Sequence, residues 1–299
     1  MEKKGTLIVI VGPTAVGKTT TAINIAKALN APILSADSRQ FYKEISIGTA
    51  KPTIQEQAES THYFIDNKSI AEEYNASDYE EDVLKFLNHH FKNNPWAILC
   101  GGSGMYIDAV CYGFDSGIPS SDKAIREKIQ VAFKEKGLSY LQEKLKELDP
   151  KFYQEVDLNN PKRLMRAIEV CLISGKPYST IRKGKKVERP FNLVKIGLYM
   201  ERSKLYERIN LRVDLMIQQG LLEEVKSVLP FKEKNALKTV GYQELFLYLE
   251  ERYSLEEAID KIKVNSRRYA KRQMSWFKRD KTIQWFEPHQ WEEILEYFH

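Results

Sequence analysis

Gly12-Pro13-Thr14-Ala15-Val16-Gly17-Lys18-Thr19 stands between an apolar run at residues 7–11 and a segment in which Ile23, Ala26 and Leu29 recur at helical spacing. The order implied is strand, glycine loop, helix, and the spacing fits G-x-x-x-x-G-K-[ST]. In such a loop, backbone N–H groups cradle a di- or triphosphate at a helix N-terminus, the lysine reaches its outer oxygens, and the hydroxyl of Thr19 is available to Mg²⁺. An isolated match can be an ordinary turn; the strand before it and the helix after it argue otherwise. The loop is of the nucleotide- and ATP-binding type and predicts a bound diphosphate without choosing among diphosphates.

The chain has 299 residues, 42% of them hydrophobic, enough to bury a sizeable core in about two folding units. No run approaches the roughly 18 apolar residues that span a bilayer, and residues 1–5 lead straight into the first strand, so no membrane contact and a cytoplasmic location are expected. Cys100, Cys111 and Cys171 lack the spacing of a disulfide framework or a zinc site. The net charge of +5 is unevenly distributed. Arg267, Arg268, Lys271, Arg272, Lys278, Arg279 and Lys281 face Asp280 alone, and Arg182, Lys183, Lys185, Lys186 and Arg189 face only Glu188, leaving the remainder acidic. Two basic surfaces on an acidic body predict a polyanionic partner.

Residues 32–36 read as a second short strand that delivers Asp37-Ser38-Arg39-Gln40 at its carboxyl end, the edge that carries ligands in an open parallel sheet. Residues 62–66 suggest another strand. Ser77-Asp78-Tyr79-Glu80 has capping-box spacing before a helix with Val83, Leu84, Leu87 and Phe91 on its apolar face. The run at 96–100 reads as a strand buried on both faces and closes on Gly101-Gly102-Ser103-Gly104. Residues 115–188 have helical periodicity only, and strand composition returns at 191–200. The expected fold is therefore α/β: a P-loop NTPase-like parallel sheet flanked by helices, formed by residues 1–114 and 189–299, with a helical domain inserted at 115–188. A long amphipathic helix is expected from Ser203, its apolar face continuing past Gly220 through Leu222, Val225 and Leu229, with Arg208 and Arg212 beside that stripe. A last helix covers about 258–277.

Phosphate-loop hydrolases usually end a strand with an acid that holds Mg²⁺. Here the buried strand ends in glycines, and the best-placed carboxylate is Asp37, which favours a transferase with Asp37 as general base; a role in capping or orienting the loop is the alternative. Arg268, Arg272, Ser275 and Arg279 share a helix face, with Ala270, Met274 and Phe277 turned inward and Tyr269, Trp276 and Trp285 nearby. That stripe reads as a nucleic-acid surface in preference to a merely solvated face.

The loop, Asp37-Ser38-Arg39-Gln40-Phe41-Tyr42 and Ile47-Gly48-Thr49-Ala50-Lys51-Pro52 closely resemble successive motifs of the tRNA dimethylallyltransferases, also called tRNA isopentenyltransferases. So do Gly101-Gly102-Ser103-Gly104-Met105-Tyr106, the segment 161–175, Gly241-Tyr242-Gln243-Glu244 and Lys271-Arg272-Gln273-Met274-Ser275-Trp276, so the likeness spans nearly the whole chain in order. Ser103 stands where the family usually has Thr, and Asn160 where an Asp often precedes the proline. The resemblance implies transfer of a dimethylallyl group from its diphosphate to the exocyclic N6 amine of the adenosine 3′ of the anticodon in tRNA. It implies that the loop and Mg²⁺ on Thr19 hold the leaving diphosphate, that Arg212 clamps it, and that Asp37, Thr19 and Arg212 are the catalytic set. For the RNA, it implies that Asp37, Ser38, Arg39 and Gln40 meet the base, bordered by Ser103 and Arg126. Pro161, Lys162, Arg163, Leu164, Met165 and Arg166, with Gly241, Tyr242, Lys271, Arg272 and Gln273, would hold the anticodon stem-loop. A monomer is expected. The competing reading is a small-molecule or nucleotide kinase, which shares the loop, the sheet and a base after the second strand.

Overall fold

Residues Leu7, Ile8, Val9 and Ile10 are wholly buried, which is what a continuous apolar run achieves only in a strand covered on both faces. That strand, β1 (Thr6–Val11), lies inside an all-parallel six-stranded sheet of a computed structural model describing residues 5–114, 117–182 and 187–298. Outside the described residues lie residues 1–4, Asp115, and Lys183, Lys185 and Lys186 of the second basic cluster. In chain order β1 is followed by α1 (Lys18–Leu29), β2 (Ile33–Ser35), α2 (Ile54–Glu59), β3 (His62–Tyr63), α3 (Ala76–His90), β4 (Trp96–Gly101) and α4 (Gly104–Tyr112). Then come α5 (Lys123–Leu148), α6 (Pro150–Glu155), α7 (Pro161–Ser174), α8 (Tyr178–Ile181), β5 (Asn192–Leu198), α9 (Arg202–Gln218) and α10 (Leu221–Ser227). The chain ends with α11 (Tyr242–Leu249), α12 (Leu255–Phe277), β6 (Gln284–Phe286) and α13 (Trp291–Glu296).

The strand order is β3-β2-β4-β1-β5-β6, the α/β arrangement that alternating strands and helices predict. Register aligns Val11 with Gly101 and with Gly197, and Ser35 with Cys100, so the carboxyl ends of β1, β2 and β4 open on one edge. One apolar core joins Ile8, Ile10 and Ile98 of the sheet to Ile23 and Ile25 of α1, Ile209 of α9 and Ala270 of α12.

The chain divides into two compact units, Met1–Cys111 with Arg189–His299, and Tyr112–Glu188. The second is helical and has its own core of Ile129, Leu141, Leu145, Phe152, Leu164 and Ile168. Among the described residues, no helix is long and apolar enough to cross a membrane.

Four local expectations are corrected. Helix α3 is capped by Asn75, not Ser77: the Asn75 carboxamide oxygen accepts from Ser77 N–H (2.8 Å) and Asp78 N–H (3.3 Å), and the Asp78 carboxylate accepts from Asn75 N–H (3.0 Å). Asparagine caps as well as serine and stands two residues earlier. The stripe expected to run from Ser203 past Gly220 is broken, because Gly220 has φ 99° and starts α10 on a new axis. Leu221 and Val225 are then the buried residues, while Leu229 is 37% exposed. Trp285, expected as aromatic surface, lies in the unforeseen strand β6 and packs over Gly197, where a Cβ would come within 2.6 Å of its ring. Arg189, counted in the second basic cluster, is buried, pairs with Glu80 at 2.5 Å and donates to the carbonyls of Ala109 and Val110.

Candidate active site

The loop after β1 takes its shape from residues in the left-handed region, Gly12 at φ 153°, Ala15 at 65° and Gly17 at 113°. A Cβ on Gly12 would also lie 2.7 Å from the Leu198 carbonyl oxygen, so the first glycine is required by both conformation and space. Arg208 Nε donates to the Ala15 carbonyl at 2.9 Å, holding the non-glycine residue in its left-handed position. Lys18 Nζ donates to the carbonyls of Gly12 (3.0 Å) and Pro13 (2.8 Å). An ammonium carries three donors, so one remains for a ligand in the cradle. Burial brings the Lys18 pKa down to about 8, against the opposing pull of Cys100 and Asp37.

This loop forms one wall of a cavity of about 320 Å³, also bordered by Thr19, Cys100, Arg208 and Arg212. A second cavity, of about 340 Å³, is bordered by Ser38, Arg39, Lys238, Gly241, Tyr269 and Arg272. The two share Thr14, Asp37, Thr49, Ala50, Arg212 and Met216, so Asp37 stands where they meet. Burial raises its pKa above the ordinary carboxylate value, opposed by the Arg39 N–H that donates to Oδ1 at 3.0 Å and by the charges of Lys18, Arg39 and Arg212. Arg212 is depressed, chiefly by burial and then by Arg208. Two guanidiniums and an ammonium around one carboxylate make a site for a polyanion beside a base.

Of the residues anticipated for the acceptor, Ser38 and Arg39 border the second cavity. Ser103 Oγ accepts from Ser38 N–H at 2.9 Å and is hydrogen-bonded to Tyr269. Gln40 borders the first cavity, but its amide is committed inward: it accepts from Ser35 Oγ (2.9 Å) and donates to the Thr49 and Ala50 carbonyls. Lys271 and Arg272 are exposed on α12, and Arg272 borders the second cavity.

Three side chains from the anticipated RNA set are not surface groups. Gln273 is 5% exposed and bonded at both ends of its amide. Tyr242 is wholly buried, its hydroxyl donating to Glu224 at 2.5 Å. Leu164 is wholly buried in the core of the helical unit.

Within that unit, Pro161 is the first residue of α7 and Asn160 caps it, accepting from Arg163 N–H at 3.3 Å, so the asparagine does the work an aspartate would do there. Lys162 and Arg163 are exposed in the first turn, followed by half-buried Met165 and Arg166. Buried Glu169 pairs with both Arg126 (3.0 Å) and Arg166 (2.9 Å).

Nothing in the sequence marks a site role for Glu224 or Lys238, and it offers Met216 only as part of an apolar helix face and Tyr269 only as aromatic surface beside the basic stripe. Glu224 accepts from the N–H groups of Ser46, Ile47 and Gly48 at 2.7, 2.8 and 3.0 Å, fixing the segment that lines both cavities. A carboxylate some 178 positions from its partners leaves no local signal.

Residues 40–280 match the family described as IPP transferase. The chain is 49% identical over 294 residues, 98% of both proteins, to tRNA dimethylallyltransferase 1 of Phocaeicola vulgatus. It is also 49% identical over 287 residues, 94% of this chain and 93% of the relative, to the tRNA dimethylallyltransferase of Flavobacterium psychrophilum. Among solved structures it resembles the full-length tRNA isopentenylpyrophosphate transferase of Bacillus halodurans, with 37% identity, TM-score 0.73, and 100% and 96% of the two chains covered. It also resembles a eukaryotic dimethylallyltransferase acting on tRNA, with 25% identity, TM-score 0.78, and 91% and 70% covered. The chain belongs to the IPP transferase family and is similar over nearly its whole length to the two tRNA dimethylallyltransferases above.

Proposed function

We infer that this enzyme transfers a dimethylallyl group from dimethylallyl diphosphate to N6 of the adenosine 3′-adjacent to the anticodon in tRNA, releasing diphosphate. The observation that carries the reading is the meeting of two cavities at Asp37, one walled by a phosphate loop and the other by the basic helix α12. The donor's diphosphate would lie against the loop, with Lys18, Arg208 and Arg212 around it. The bond between C1 and the diphosphate oxygen breaks, its electron pair leaving with the diphosphate, and N6 forms the new bond to C1. An aromatic amine is a weak nucleophile because its lone pair is delocalised, so acceptance of its proton by Asp37 should contribute about 10²- to 10⁴-fold. The raised pKa of Asp37 makes it a better base than an exposed carboxylate.

Mg²⁺ suits the donor set. Among the described residues there is no cluster of three or more His, Cys, Asp or Glu that would cage a metal, whereas a hydroxyl on Thr19, water and diphosphate oxygens are the ligands Mg²⁺ prefers. When bound there, it would neutralise charge growing on the leaving diphosphate. We take the helical unit to hold the RNA through Arg126, Lys162, Arg163 and Arg166. Helix α7 has no acidic residue in its first turn, and cations there oppose the helix dipole, which favours an anionic partner over stability as the reason for them. We also take the chain to act as a cytoplasmic monomer.

The test is incubation with labelled dimethylallyl diphosphate or labelled ATP, each with and without tRNA. Carbon label is expected in the RNA with no nucleotide consumed; phosphate transfer from ATP in its place would establish the kinase alternative.

A further inference from the structure

Helix α12 turns neighbouring side chains in opposite directions. Lys271 and Arg272 are exposed, whereas Gln273 is 5% exposed. Its Oε1 accepts from the Thr14 N–H at 2.8 Å, and its Nε2 donates to the Gly102 carbonyl at 3.0 Å. Thr14 belongs to the phosphate loop after β1 and lines both cavities; Gly102 follows β4. The next residue, Ser103, donates its N–H to the Ala36 carbonyl at 3.2 Å and accepts from Ser38 N–H, which extends the connection to the end of β2 beside Asp37. One buried amide thus ties three strand ends to the helix that carries Arg272. Both of its ends are satisfied, and losing either bond would leave a polar group unpaired away from water. The fit is close, since a Cβ on Gly102 would lie 2.1 Å from Gln273 Nε2.

We propose that Gln273 is a positioning residue that couples the two substrate sites, so that RNA on the outer face of α12 raises the affinity of the loop for diphosphate, and diphosphate raises the affinity for RNA. The proposal rests on the functional reading above. Coupling requires an element that both ligands bias. Residues 272 and 273 are adjacent on one helix, so a displacement of α12 that seats Arg272 on a phosphate also moves the acceptor that holds Thr14 N–H. By linkage the effect is equal in both directions.

The experiment is calorimetric titration of the Mg²⁺-supplemented protein with inorganic pyrophosphate, alone and with saturating anticodon stem-loop RNA. The wild type is expected to bind pyrophosphate at least about fivefold more tightly with RNA present. Gln273→Leu should bring that ratio to about one. Gly102→Ala should do the same, because its methyl group displaces the Gln273 amide while α12 keeps its sequence. Circular dichroism establishes which variants are folded. A wild-type ratio of one overturns the proposal whatever the variants do, and so does an undiminished ratio in either folded variant. If the wild type bound neither pyrophosphate nor RNA, the functional reading would fall, and this proposal with it.

Discussion

Lys18 is the residue whose charge state is most finely balanced. Burial brings its pKa to about 8, and a bound diphosphate would restore its proton. Binding above pH 8 therefore takes up a proton, so donor affinity should be flat below that pH and weaken by up to about tenfold per unit above it. Asp37 acts in the opposite sense: it must be ionised to accept a proton, and its pKa is raised. The profile of kcat/KM against pH should thus be a bell, with an acidic limb above the ordinary carboxylate range and an alkaline limb near 8. An alkaline limb that persists unchanged in Lys18→Arg would assign that limb to another group. A second outcome follows from the separation of loop and basic surfaces. Lys18→Ala and Thr19→Ala should raise the KM for the allylic diphosphate far more than they weaken RNA binding, as measured by filter retention of labelled tRNA. Lys18 and Thr19 are legible from spacing alone because few backbone paths let N–H groups surround a phosphate. Gln273 is not legible, because a glutamine after two exposed cations reads as more surface, and only the register of α12 against the loop turns it inward.

At the scale of elements, α12 presents Arg268, Lys271 and Arg272 to solvent, and Lys278 and Arg279 are exposed just past its end, with the Arg279 guanidinium 4.1 Å from the Trp276 ring centroid. If this face meets RNA phosphates, log affinity should fall with log salt by about 0.7 to 0.9 per phosphate neutralised. Arg272→Glu combined with Arg279→Glu should flatten that slope while pyrophosphate affinity changes little; an unaltered slope would make the face a solvated one. Helix α3 offers a stability measurement. Asn75→Ala should cost about 1 kcal/mol by removing the carboxamide oxygen that accepts from Ser77 and Asp78 N–H, while Ser77→Ala costs a few tenths, as read by urea denaturation. The central strands were legible because burial on both faces demands unbroken apolar runs. Strand β6 was not, since Gln284–Phe286 is three residues at a sheet edge with one exposed polar member. The break at Gly220 was also hidden, because an apolar stripe continues in composition even where the axis does not.

Across the whole molecule, chain ends far apart in sequence converge on one edge of the sheet. The loop after β1, the turn after β2, the glycines after β4 and two helices from the carboxyl-terminal half surround Asp37. Parallel register aligns those ends, so a fold readable from alternating strands and helices already assigns the edge and makes Asp37, just after β2, its best-placed carboxylate; that two cavities meet there depends on side chains that sequence order does not reveal. The central claim is that both substrates reach Asp37 and that it takes the N6 proton. Single-turnover transfer by Asp37→Asn, with dimethylallyl diphosphate and tRNA both saturating, tests this most directly, because the substitution keeps the shape and hydrogen bonding of the side chain and removes its basicity. Transfer should fall by about 10²-fold or more, with both affinities nearly unchanged and no recovery on raising Mg²⁺. A variant that transfers at the wild-type rate, or that regains it with added Mg²⁺, would contradict the account.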